Sequence, residues 1–473
     1  MEGEGEERVS MDLPTAAPVT KVPTDPPTTS PSTSTPTAFP TYVPIDAPQV
    51  LPLTSQPMTL MEGEGEERTS MDLPTLIPPP PATFHPGDLT IYKEGLTMST
   101  GMDVRLVAAG GEPVPYTDGS GQASEAPFHL KADGAGCIPH PSDGGWYYVS
   151  NSEYGWDSGG VGAVRFDSEG RVVGYERVLN GTNWNCGGGR TYWDTWVTCE
   201  ENDDVGDLYE VNPHTGYTQK IKAVEKGGNY ESFAYDNLDP DVEARFFVTE
   251  DAQTGPLTRY TPHPSAFTTG NSYDILNTEG GTYEYLVLSK GCYYSYTGSF
   301  TWSTNRTEGE ISAQRCFPNI EGIDIHKRVV YFTSKKYREL FILDLKDMSY
   351  SVASTVSGSF DLQPDQMQRV FSEGKNGIDE EDSILYFCED GGDNCDIHGK
   401  DSDGSYFTIV EGTDYDTEVT GLAFSPDGKH MYAAFQADSL IFDFWRTDGY
   451  PFGGRVADVK YHKEKEKPFS PEL

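Results

Sequence analysis

The sequence predicts an all-β fold: a β-propeller of six blades behind a disordered N-terminal region. Three observations predict it. Glycine is 50 of 473 residues and aromatics are 12%, with few helix-type periodicities, a mix that suits strands joined by many turns. Short segments between 161 and 445 alternate apolar and polar residues, or run β-branched and aromatic, between Gly, Asp, Asn and Pro. One sub-pattern recurs: a strand ending in an acidic pair, a Gly/Asp loop, then a strand closed by Pro or Gly. It is seen in WVTCEENDDVGDLYEVNPHTG, FFVTEDAQTGPLTRYTPHP and LYFCEDGGDNC with DGSYFTIVEG. That is the rhythm of propeller blades.

The N-terminal region, 1–85, reads as unfolded. MEGEGEERVSMDLPT (1–15) returns as MEGEGEERTSMDLPT (61–75), differing only at Val9 and Thr69. The Pro/Thr/Ser tract between the copies cannot bury a core and reads as an extended stalk. From about Phe84 the strands begin. They are VGAVRFD, TWVTCEE, DLYEVN, ARFFVTED, LTRYTP, EYLVLS, RVVYFTSK, ELFILDL, SILYFCED, GSYFTIVEG, GLAFS, HMYAAFQ and SLIFDFW. FSPDGKHMYAAF has the Pro-Asp-Gly turn of an inner hairpin. Six blades over 86–462 average about 63 residues, more than the ~40–45 of a compact blade, so long loops must project. Two packed sheets are the architectural alternative. Residues 463–473 read as a charged tail.

Charge narrows the function. Acidic residues outnumber basic ones 75 to 34, a formal charge of −41. That excludes nucleic acid as a partner, because phosphate neutralisation needs clustered Lys and Arg. It argues against an anionic membrane surface, and no apolar run reaches the ~18 residues of a membrane span. An acidic excess suits hard multivalent cations. Gly-Lys-Ser/Thr loops and G-x-S-x-G elbows are absent, so nucleotide hydrolysis and serine-esterase chemistry have no support. The N-terminus shows no basic segment followed by an apolar one, so no secretory signal is visible. The seven scattered cysteines and the sequons at Asn180 and Asn305 nevertheless lean towards an extracellular or cell-surface glycoprotein whose leader is missing or unconventional.

The densest chemical signal is NWNCGGGRTYWDTWVTCEEN (183–202). Three glycines after Cys186 let the backbone approach something closely. Glu200 and Glu201 stand side by side at a strand end, where a cation would relieve their repulsion. Other acidic strand ends follow about one blade apart: Glu231, Glu250 with Asp251, Glu321, Glu389 with Asp390, and Glu418. In a propeller such positions converge on the central channel. Carboxylates gathered there cannot all stay charged without metal, and oxygen ligands favour Ca²⁺, Mn²⁺ or Fe³⁺ over zinc. Acidic blade turns in an acidic protein are the plainer reading of the same residues. Asp401-Ser402-Asp403-Gly404 is half of a calcium loop and reads as a hairpin turn, and His140, His214, His263 and His326 read as surface or turn residues.

The 183–202 segment resembles the N-C-x-G-G…W-x-T-C-E-E signature of PhoX-type alkaline phosphatases. FVTEDAQTGPLTRYTP, FPNIEGIDIHKRVVYFTS and TEVTGLAFSPDGKHMYAAFQ are similar to three further segments of that family, in the same order, over 183–436. The resemblance implies a propeller that hydrolyses phosphate monoesters with an Fe³⁺ and Ca²⁺ cluster. It implies Cys186 as a thiolate ligand of iron, with at least one of Glu200 and Glu201, then Glu231, Glu321 and Glu418 as carboxylate ligands. Glu250, Asp251, Glu389, Asp390 and Asp393 are further metal candidates. Asn185, Arg190 and Lys335 are candidates for phosphate contact by position and chemistry. Three departures stand out: Tyr230 replaces the family's histidine before Glu231, Phe435-Gln436-Ala437-Asp438 replaces an ending that carries a histidine, and 263–315 has no counterpart.

With Cys186 as ligand, six cysteines remain for three disulfides. Cys388 with Cys395 and Cys292 with Cys316 are candidate pairs, leaving Cys137 and Cys199. The expected protein is a monomeric metal-dependent phosphomonoesterase acting on small phosphate esters. A catalytically lapsed calcium-binding propeller at the cell surface, and a calcium-dependent lactonase-like hydrolase, are the competing readings.

Overall fold

The computed structural model describes residues 89–453 except 237–243, 290–291, 293–294, 355–362, 375–376, 392–394 and 403, with backbone strands at 85–86 and 458–461. The chain divides into two units, Met1–Leu76 and Ile77–Leu473, and the described residues lie in the second. The 1–85 repeat and stalk, except for the strand at 85–86, Asp393, and the 463–473 tail lie outside the described residues.

The second unit is a propeller. Among the described residues, six successive antiparallel runs each start from an inner strand, the third and fourth being joined in one nine-stranded sheet where Thr297–Ser303 pairs with Ser349–Ser354. Their innermost strands are β1 (Ala132–Pro139), β2 (Asn185–Arg190), β3 (Tyr230–Asp236), β4 (Ile320–His326), β5 (Gln363–Gly374) and β6 (Val419–Phe424). Each packs beside the next, and β6 packs beside β1, which closes a ring and excludes a two-sheet sandwich. The last group is completed by Met102–Ala109, which pairs with Leu440–Arg446, so the two ends of the domain share one blade.

The strands expected from alternation all appear. The inner strands β1 to β5 were not among them, because ADGAGCIP, NCGGGR, YESFAYD, IEGIDIH and QPDQMQRVFSEG lack a run of β-branched residues. Their glycines answer to crowding about the ring. A Cβ on Gly187 would stand 2.3 Å from Glu231 Oε1, and one on Gly189 would stand 1.7 Å from the Phe233 carbonyl. The three glycines therefore let β2 approach β3. Between blades, Trp196 packs on Gly136 and donates its indole N–H to Asn151 Oδ1 at 2.9 Å.

The stretch without a family counterpart holds the helix α1 (Arg306–Cys316), started by the Asn305 side chain, which accepts from the Thr307 N–H. A disulfide joins Cys292 to Cys316 at its end, as the spacing suggested. The other pairing fails: Cys388 and Cys395 are free, as are Cys137, Cys186 and Cys199, and all five are buried.

Candidate metal centre

Every inner strand slips its register at the same place. The shifts fall between Ala132 and Ala135, Asn185 and Gly188, Tyr230 and Phe233, Ile320 and Ile323, Pro364 and Met367, and Thr420 and Ala423. A bulge adds a residue to one strand and re-aims its side chain. The residues that open the first five shifts are Asp133, Cys186, Glu231, Glu321 and Asp365, and Thr420 borders the sixth. A second set follows from the adjoining strands: Glu153, Glu201, Asp251, Lys335, Asp390 and Gln436. Their equivalence is pinned by backbone hydrogen bonds. The N–H groups of Glu153, Glu201, Asp251, Lys335 and Gln436 donate to the carbonyls of Lys131, Trp184, Asn229, Asn319 and Glu418, each just before an inner strand.

Two groups of these side chains bring ligand atoms within 4.8 Å of one another: Glu153, Cys186 and Glu201, and Glu231, Glu321 and Asp365. Asn151 holds the bulge at Cys186 by donating to the carbonyls of Cys186 and Gly187. The Ser232 N–H donates to Thr249 Oγ1 at 2.7 Å and holds the bulge at Glu231.

Burial and mutual repulsion push these carboxyls up. Glu153 is raised to about 8 by burial and then by Asp133 and Glu201, and Glu201 to about 7 by burial and then by Asp251. Glu231, Glu321, Asp365 and Glu418 are also raised, chiefly by burial. The Cys186 thiol is also held up, by burial and then by Asp133 and Glu231. Burial and neighbouring acids thus favour the protonated forms at this end of the channel, and a bound cation would oppose that shift.

Hydrogen bonding separates anchors from open ligands. Asp133 is saturated. Thr420, Gln366 and the Gly134 N–H donate to its Oδ1, and Gln436 Nε2 to its Oδ2 at 2.7 Å. Gln436 also donates to Glu153 at 2.7 Å, so the residue that departs from the family pattern fastens the first blade. Glu231 Oε1 is different: it is buried and accepts no hydrogen bond. An orphaned carboxylate oxygen between two other carboxyls fits a hard cation, and Cys186 adds a soft donor beside it.

Lys335 reaches into the same end. Its Nζ lies 2.8 Å from Asp390 Oδ2, 3.0 Å from Glu321 Oε1 and 3.4 Å from Asp251 Oδ2. Burial alone would lower its affinity for a proton, but these three acids outweigh burial and raise it.

Several expected residues stand elsewhere. Glu200, Glu250 and Glu389 precede Glu201, Asp251 and Asp390, and strand alternation turns them into the blades. Glu200 accepts the N–H groups of Asn183 and Asp207. Glu250 pairs with Arg306 of α1 at 2.6 Å. Glu389 lies 3.3 Å from His398 and groups with it and Asp396 rather than with Cys186. Asn185 is fully buried against Thr182 and Thr198, so it cannot touch phosphate. Arg190 pairs with Asp194 at the far end of β2, four residues or about 13 Å from Cys186. It lines a cavity of about 550 Å³ at the opposite mouth, with His326, Arg369 and Phe424. Tyr230 is buried among apolar side chains of its blade. Glu418 is half-buried, and its carboxyl is raised by burial and by Asp133 and Asp365, which puts it near the same acids. Sequence reasoning missed Asp133, Glu153 and Asp365. Asp133-Gly134, Cys186-Gly187 and Glu321-Gly322 share a legible signal, a ligand-type residue followed by glycine at a strand start.

Fold and site define a class: a β-propeller with potential metal-binding groups gathered at one end of its channel. The family model described as alkaline phosphatase PhoX matches residues 160–255, the span that holds Cys186, Glu201, Glu231 and Asp251. A structure of PhoX from Pseudomonas fluorescens in complex with vanadate, a transition state analogue, aligns with a TM-score of 0.58 at 14% identity. It covers 76% of this chain and 97% of that one. A gluconolactonase from Xanthomonas campestris aligns at 0.36 and 11% identity, covering 73% and 95%. No curated protein matches the sequence. Over 160–255 the chain is thus similar to the PhoX family, and it shares the propeller fold of the solved PhoX structure.

Proposed function

We propose that this protein is a metal-dependent phosphomonoesterase that releases phosphate from small organic esters, with calcium and iron as its metals. The observation that carries the reading is Glu231 Oε1, buried without a hydrogen bond in a residue that groups with Glu321 and Asp365, beside the group that contains Cys186. Glu231, Glu321 and Asp365 would hold a hard cation, and Glu153, Cys186 and Glu201 a metal that accepts a thiolate. Bound there, the metals would supply Lewis acidity towards phosphoryl oxygens and a deprotonated water as nucleophile.

The chain's own residues do the rest. Asp133 keeps Thr420, Gln366 and Gln436 in fixed positions and so braces the first blade against the last. Lys131 Nζ, 3.4 Å from Gln436 Oε1, adds a positive charge at the mouth for an anionic substrate. The Cys292–Cys316 disulfide supports an extracellular or cell-surface location.

The test is elemental analysis of purified protein, paired with release of phosphate from a chromogenic monoester after loading with Ca²⁺ and iron. Metal at defined ratios with turnover is the expected result, and a metal-replete sample without turnover would sink the enzyme. The second reading, a calcium-holding propeller without catalysis, is favoured by Tyr230, buried in its blade where the family carries a histidine. It predicts calcium binding with no release of phosphate.

A further inference from the structure

The second set of channel residues is not uniform. Glu153, Glu201, Asp251 and Asp390 are acids, Gln436 is a neutral donor, and Lys335 alone carries a positive charge. Its backbone sits as the others do, with its N–H on the carbonyl before the inner strand, at 2.8 Å. The contrast therefore belongs to the side chain, and strand geometry does not explain it.

The ammonium is surrounded by three carboxyl groups. Asp251, Glu321 and Asp390 come from the third, fourth and fifth groups of strands, and each places an oxygen within 3.4 Å of Nζ. Asp251 is held there by Asn319, whose side-chain N–H₂ donates to its other oxygen at 2.7 Å. Three convergent carboxylate oxygens from separate strands around one cation is the donor arrangement of a hard metal site. Nζ lies in charge contact with Glu321 Oε1 yet that oxygen accepts no hydrogen bond, so attraction of charge rather than a directed bond holds the pair.

We propose that Lys335 is a resident cation standing where the channel would otherwise take one more metal ion. The inference rests on the reading of this end as a metal centre, and deepens it. Lys335 is then a positioning residue: it fixes the number of metals and keeps Glu321 oriented towards Glu231 and Asp365. Its charge is committed to three acids, so phosphate is not its partner.

The experiment counts metal. Wild-type protein, Lys335→Gln and Lys335→Arg are each dialysed against Ca²⁺ with iron and analysed by elemental analysis and native mass spectrometry. Lys335→Gln is expected to hold one divalent ion per chain more than wild type, and Lys335→Arg the same number as wild type. A folded Lys335→Gln with the wild-type count overturns the proposal. Where Lys335→Gln folds only in Ca²⁺, that dependence supports it; where Ca²⁺ fails to rescue a variant whose Arg counterpart folds, it is overturned. Wild-type protein without metal would defeat the metal-centre reading alone, provided Lys335→Gln still gains one ion. No metal in either would defeat both.

Discussion

The two ends of the same six inner strands carry opposite solutions to charge. At their starts, bulges gather Asp133, Cys186, Glu231, Glu321 and Asp365, and burial pushes the carboxyls and the thiol up. Towards their far ends charges meet opposite partners: Arg190 with Asp194, and Arg369 with Asp324 at 3.0 Å beneath the Tyr331 ring. A cavity of about 550 Å³ lies at this quiet end. Emptiness alone therefore does not mark the chemistry; unrelieved repulsion does.

That contrast can be broken most forcefully by removing metal. Chelation should lower the melting temperature by several degrees, since a ligand at a hundred times its Kd adds about 2.7 kcal/mol; calorimetry with and without chelator checks it. No shift would make the acidic end as inert as the other.

Larger in free energy is the effect of a pair that belongs to neither end. Arg306→Ala leaves Glu250 buried and unpaired and should cost about 3–5 kcal/mol in denaturant unfolding, with metal content unchanged. Loss of metal in that variant would bring Glu250 back among the ligands.

The pH dependence sharpens the comparison. Glu153 and Glu201, raised to about 8 and about 7 from 4.5, hold protons in the folded chain that the unfolded chain releases. Their contribution is full below about pH 4.5 and is lost as pH rises through 7 and 8. Metal-free protein should therefore melt at lower temperature at pH 8 than at pH 5.5, and metal should flatten or invert that slope. The smallest effect belongs to the quiet end: Arg190→Ala should change stability by no more than about 0.5 kcal/mol and leave the metal count alone.

The outer strands were legible because their alternation is a packing signal, as in RVVYFTS and HMYAAF. Most inner strands were not, because glycines and acids there serve crowding and the channel rather than a pleated core. Cys186, Glu231 and Glu321 were found by motif, yet the acidic pairs were taken whole. A strand has two faces, so only the second acid of Glu200-Glu201, Glu250-Asp251 and Glu389-Asp390 could face the channel. Asp133 and Asp365 escaped because single acids in KADGAGC and QPDQMQ carry no pair to notice, and the bulges that aim them are set by partners far away in sequence.

The shared last blade also sets a schedule. Arg105 reaches Asp443 across 338 residues. At 5–20 residues per second, the strand that carries Arg105 waits about 20–70 s on the ribosome for its partner to be made. Over that interval the Met102–Ala109 edge stands open to other chains, and the acids of the first blade wait for Thr420 and Gln436, the neutral donors that fasten them.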